Sequence, residues 1–172
     1  MRLLCAAWVV VLTAEVRGFA TVHRSRGRIG AIIMSGAPLQ VPHPEKMDPE
    51  DVADRIRGGA KNLVIVDVRD GDYAGGHIKG CINVPSSVFN DGWRAADGLL
   101  NKFKSVPEPQ TFVFHCMKSQ VRGPSCAQRF VERINAQGLP AGMPVPEVWI
   151  LRGGYEGWEM RYHDADDGLV EK

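Results

Sequence analysis

The sequence predicts an α/β domain with a mostly parallel central sheet flanked by helices. Three observations predict it. The runs Leu63-Val64-Ile65-Val66, Thr111-Phe112-Val113-Phe114 and Val148-Trp149-Ile150-Leu151 have the length and apolar continuity of buried parallel strands. Between them lie stretches whose apolar residues recur at helical spacing. Finally, 172 residues, 44% hydrophobic and 24% charged, suit one soluble globular domain with some chain left over.

The surplus lies at the ends. Residues 1–33 are expected to form a targeting leader. They carry five Arg and one Glu, a net of +4, whereas residues 34–172 carry 16 basic and 19 acidic groups, a net of −3. Arg2 precedes an apolar run at residues 3–14 that is too short for a comfortable membrane span. Residues 19–28 open on Phe19 and are basic, hydroxyl-bearing and free of acids. This layout resembles the bipartite leaders that carry proteins to complex plastids in some algae. Two other readings stay open: a plain secretory signal, or an upstream extension with translation from Met34, which would leave the product in the cytoplasm or nucleus. A net charge of +1 gives no argument for nucleic acid, and no membrane association of the mature form is expected. A monomer is expected.

Residues 34–46, with Pro38, Pro42 and Pro44 and no periodicity, are expected to be a linker before a domain at 47–160. Asp48-Pro49-Glu50-Asp51 reads as a helix start, with a capping Asp, Pro at the first position and acids in the first turn. Gly58-Gly59 ends that helix, and residues 63–69 form the first buried strand. Residues 70–76 are turn-rich, and residues 77–85 carry a second short strand with Cys81 in its middle. Trp93, Leu99, Leu100 and Phe103 have helical spacing, which Gly98 weakens. After the strand at 111–115, the pattern Cys126, Phe130, Val131 and Ile134 extends a helix to about Gln137. A proline-rich loop, the strand at 148–151 and a short helix from the Gly153-Gly154 turn follow. Trp149, Tyr155 and Trp158 are expected in the core and the structural turn. Residues 161–172 are expected to be a loose acidic tail.

The chemistry gathers at His115-Cys116-Met117-Lys118-Ser119-Gln120-Val121-Arg122-Gly123-Pro124. A strand that delivers a cysteine into a tight loop opening a helix makes an oxyanion cradle. Backbone N–H groups of Met117, Lys118, Ser119, Gln120, Val121, Arg122 and Gly123 point inward, and the helix dipole adds positive charge. Arg122 is a planar, bidentate donor suited to a tetrahedral oxyanion. The same field favours thiolate at Cys116, which makes it the candidate nucleophile. Gly123 lets the backbone approach a ligand, and Pro124 suits a first helical turn. Cys5 lies in the leader, and the remaining Cys81, Cys116 and Cys126, odd in number and irregular in spacing, make no disulfide framework; no Cys/His cluster has zinc spacing, so no metal is expected.

Three stretches together resemble the rhodanese fold. They are Asp67-Val68-Arg69 with residues 76–85, the cysteine loop, and Leu151-Arg152-Gly153-Gly154-Tyr155-Glu156-Gly157-Trp158. The loop is longer than sulfurtransferases of that fold carry. With its His, Ser119 and Arg-Gly-Pro it resembles the M-phase-inducer dual-specificity phosphatases and the related eukaryotic arsenate reductases. Mitotic phosphatases place Glu before the arginine as a proposed proton donor; here that position is Val121, as in the arsenate-reductase type.

The resemblance implies a Cys116 thiolate that attacks phosphorus or arsenic while Arg122 and the loop amides hold the oxygens. The substrate is a phosphoprotein or arsenate. No bound cofactor is expected; glutathione or glutaredoxin would supply electrons for arsenate. Ser119 either hydrogen-bonds the thiolate or satisfies the loop backbone. His115 is expected to order the loop, and Asp67 and Arg69 to support it from the neighbouring strand end as an ion pair. Cys81 and Cys126 are weighed as resolving thiols and read chiefly as packing. The competing readings are a sulfurtransferase or sulfur carrier working through a Cys116 persulfide, and a non-catalytic binding module.

Overall fold

The computed structural model describes residues 40–140, 143–164 and 168–172. The readings of the leader fall outside the described residues.

Alternation along the strands sorts the helices. In β2 (Leu63–Asp67), Val64 and Val66 face one way and Ile65 the other. In β5 (Thr111–His115) and β6 (Glu147–Leu151), Phe112, Phe114, Val148 and Ile150 join the first face, and Val113 and Leu151 the second. Helices α2 (Ser86–Asn90), α3 (Arg94–Phe103) and α4 (Arg122–Gln137) cover the first face. Helices α1 (Pro49–Arg57) and α5 (Gly154–Tyr162) cover the second. Phe130 of α4 meets Phe112 and Phe114 with ring centroids 4.8 and 5.4 Å apart, a contact set that removal of the ring would cost about 3–5 kcal/mol.

With β1 (Glu45–Met47) and β4 (Ile82–Asn83), the strands form a parallel sheet of order β1-β6-β5-β2-β4. Asp67 pairs with His115, and Phe114 with Ile150, so β2, β5 and β6 end at one level. The segments that follow these three ends are therefore brought side by side at the carboxyl edge, the ligand-binding edge of parallel sheets.

Several expectations need correction. Residues 34–46 are not linker throughout. Glu45–Met47 is an edge strand, and Val41 is buried and clasped by Asn135, whose side chain accepts from its N–H at 2.8 Å and donates to its carbonyl at 3.0 Å. Residues 161–164 and 168–172 are not a loose tail. Leu169 is buried, the Trp158 indole donates to its carbonyl, and β7 (Val170–Glu171) pairs antiparallel with β3 (His77–Ile78). Residues 77–85 hold two two-residue strands in different sheets, and Cys81 lies in the turn between them. Asp48 does not cap α1 with its side chain; its carboxylate accepts from Arg152 instead. Residues 86–90, unassigned from sequence, are helical, and α3 runs through Gly98 unbroken.

Candidate functional site

Cys116 leaves the end of β5 and lies buried at the foot of α4. A Cβ at Gly123 would sit 3.3 Å from the Cys116 nitrogen and from the His115 Cα, so glycine lets the first turn of α4 settle on the cysteine backbone. No side chain caps that turn. Its free N–H groups and the dipole of a sixteen-residue helix therefore face the loop.

The orientation of the loop is set by α5. Tyr155 and Glu156 N–H donate to the carbonyls of Cys116 and Met117 at 2.9 and 2.8 Å. In a trans peptide the next N–H points opposite its carbonyl, so the amides of Met117 and Lys118 are turned away from α5. This works only because Gly154 is glycine: at φ +64°, a Cβ there would lie 2.5 Å from the Met117 carbonyl. Ser119 has φ +49°, is 2% exposed, and its hydroxyl has no hydrogen-bond partner among the described residues, an unmet buried donor within the loop segment. The side chains of Lys118, Gln120 and Val121 are exposed, Val121 at 73%, and Val121, being apolar, can serve an anion only through its backbone. Lys118 pairs loosely with Glu156 at 3.5 Å.

Asp67 and Arg69 form a buried ion pair, 0 and 1% exposed, with Arg69 Nη2 2.7 Å from Asp67 Oδ2. Arg69 stacks on Tyr155 at 4.0 Å and donates to the carbonyls of Asp72 and Gly76. The pair therefore fixes the turn after β2. His115 is fully buried, with Nδ1 3.4 Å from the Cys116 carbonyl and Nε2 3.7 Å from Asp67. Burial pushes its pKa down and keeps it neutral. Burial pushes the Cys81 thiol up to about 11 and Cys126 to about 12, so neither is a ready thiolate.

Arg122 stands at the mouth of the site, 33% exposed, and makes contacts that the sequence reading missed. Its Nη1 donates to Asp70 at 3.1 Å and Asp72 at 2.8 Å, and its Nη2 donates to Asp72. Asp70 is itself held by the Ser86 hydroxyl at 2.6 Å and the Ser87 N–H at 3.0 Å. These bonds, Ser86 foremost, hold Asp70 well below the usual carboxylate range, and the Arg122 guanidinium does the same for Asp72. The available signal was Asp70-Gly71-Asp72 directly after a buried strand, an acidic turn at the edge where ligands sit.

A family model for the rhodanese-like domain matches residues 48–161. The chain belongs to the rhodanese-like domain family. Its relatives divide by chemistry. It is 36% identical over 99 residues to the dual specificity phosphatase Cdc25 of Arabidopsis thaliana, covering 57% of this chain and 62% of the relative. It is 31% identical over 99 residues to arsenate reductase 2.2 of Oryza sativa subsp. japonica, covering 57% and 70%. Among solved structures, a yeast protein tyrosine phosphatase of the rhodanese family superposes with a TM-score of 0.66 at 26% identity, covering 76% of this chain and 94% of that one. In this rhodanese-like domain the cysteine loop, the acidic turn after β2 and the amino end of α5 meet at one edge of the sheet.

Proposed function

We propose that this rhodanese-like domain is a cysteine-dependent enzyme acting on tetrahedral oxyanions, an arsenate reductase with protein tyrosine (dual-specificity) phosphatase activity. The observation that carries the reading is the loop from Cys116 to Arg122. Two carbonyls are tied outward to α5, a buried serine hydroxyl is unpartnered, and an uncapped helix end and an arginine complete the rim. Five residues between Cys116 and Arg122 make a cradle wide enough for phosphate or arsenate.

The Cys116 thiolate attacks the central atom while loop amides and Arg122 hold the oxygens, where charge develops. With a phosphoester an S–P bond forms and the P–O bond to the leaving group breaks; water then cleaves the S–P bond and returns the thiolate. With arsenate an S–As bond forms and the As–O bond to one arsenate hydroxyl breaks, that oxygen leaving as water with a proton taken from solvent. A glutathione thiol next attacks the Cys116 sulfur, and the S–As bonding pair passes to arsenic. Arsenic is thereby reduced from the +5 to the +3 state and arsenite is released. The resulting mixed disulfide is reduced by glutaredoxin or a second thiol.

The lean toward arsenate rests on proton supply. General-acid help to a leaving group contributes typically about 10²–10⁴-fold. Val121 cannot donate a proton, Asp70 and Asp72 are held ionised, and Asp67 is committed to Arg69. Arsenate and aryl phosphates need little such help; alkyl phosphoesters need much.

One side-by-side assay of the full chain tests this reading. The arms are an aryl phosphate, arsenate with glutathione and glutaredoxin, and thiosulfate with cyanide. Turnover in the first two, abolished by Cys116→Ser, is expected. Thiocyanate formation without the other two activities would overturn it in favour of sulfur transfer.

A further inference from the structure

Arg122 has five N–H groups, and its carboxylate contacts use three of them. Asp72 takes the end of the guanidinium, one N–H from each Nη, and Asp70 takes the other Nη1 hydrogen. Nε and the second hydrogen of Nη2 have no partner among the described residues. Those two hydrogens lie parallel on one edge, the fork that matches two oxygens of a carboxylate or phosphate. Arg69 and Asp67 use this same edge on each other, through Nε and Nη2.

We infer that Asp72, seconded by Asp70 on Nη1, is the positioning residue that grips Arg122 across its Nη1/Nη2 end and leaves the Nε/Nη2 edge for the substrate oxyanion. The inference rests on the oxyanion reading above. The grip is itself braced from three sides. Ser86 and Ser87 at the start of α2 hold Asp70, the Asp70 N–H donates to Asp72 at 3.1 Å, and Arg69 donates to the Asp72 carbonyl at 3.2 Å. A side chain as long as arginine otherwise loses much rotamer freedom when it grips a ligand. Here that ordering is done before substrate arrives, which is the condition for electrostatic preorganisation. Neither aspartate touches the reacting atoms; both act through Arg122.

The test compares wild type, Asp72→Asn, Asp72→Glu and Asp70→Asn, each as the full chain. Asp97→Asn serves as control, because Asp97 grips Arg133 in a similar bidentate pair on the α3–α4 surface. The readouts are kcat and KM for an aryl phosphate, reduction of arsenate, and the melting temperature. Asp72→Asn is expected to lower kcat/KM about 10- to 100-fold through kcat, with KM changed less than about threefold, as a misaimed group does. Asp70→Asn should show a smaller loss, Asp72→Glu a partial recovery, and Asp97→Asn wild-type kinetics. Unchanged kinetics in Asp72→Asn overturn the inference alone. So does a gain in kcat/KM or tighter competition by inorganic phosphate, since the carboxylates would then compete with substrate for Arg122. A loss that tracks a fall in melting temperature, with no recovery in Asp72→Glu, also counts against it. A wild-type chain that turns over neither oxyanion overturns the functional reading and this inference with it.

Discussion

Gly153 and Gly154 are adjacent, both at positive φ, yet their environments differ. A Cβ on Gly153 would meet nothing closer than 3.6 Å, whereas one on Gly154 would strike the carbonyls of Cys116 and Met117 at 2.6 and 2.5 Å. Each substitution by alanine carries about 1–3 kcal/mol of backbone strain. Only the second also displaces the loop. Gly153→Ala should therefore lower stability and keep turnover, while Gly154→Ala should lower stability and lose turnover at least about 100-fold. Chemical unfolding and aryl phosphate kinetics on the two variants check this; equal loss of turnover in both would contradict it. Cys116 and Arg122 could be singled out from sequence as candidates because they sit six residues apart on one loop. Asp70 and Asp72 were not legible as partners of Arg122, because the contact spans about fifty residues and depends on where β2 lies beside β5.

At the scale of elements, length decided what could be read. β2, β5, β6 and α4 carry enough apolar residues in register to announce themselves. The two- and three-residue strands β1, β3, β4 and β7 have no periodicity to display, and they exist because a neighbouring strand supplies their partners. Gly98 in α3 shows propensity overridden by packing: Ala95, Ala96, Leu99 and Leu100 are buried on one face, and the helix holds across the glycine. Gly98 is exposed and a Cβ there meets nothing within 4 Å. Gly98→Ala should therefore stabilise the protein by about 0.5–1 kcal/mol with kinetics unchanged, measurable as a shift in the urea midpoint.

For the whole molecule, acidification should act in two stages. His115 is buried with its pKa held below the ordinary value of 6.5, so the unfolded chain takes up a proton that the native state refuses. Stability that is full above about pH 6.5 falls as the pH drops below it. Asp70, Asp72 and Asp97 have depressed values relative to 3.8. Their contribution is present above about pH 4 and is lost as the pH falls further toward their folded values. Urea unfolding at pH 7.5, 5.5, 4 and 3 tests both stages, and a flat profile between 7.5 and 5.5 would contradict the reading of His115. The second stage should also release Arg122, whose pKa the same carboxylates raise.

The two amides that α5 lends to the cysteine loop also make the loop observable from outside. Deuterium reaches the Tyr155 and Glu156 nitrogens only when their bonds to the Cys116 and Met117 carbonyls open. Their exchange rate therefore measures how often α5 and the cysteine loop part at these two bonds. A residue pair on one helix becomes a clock for the loosening of the cysteine loop, readable without substrate or product.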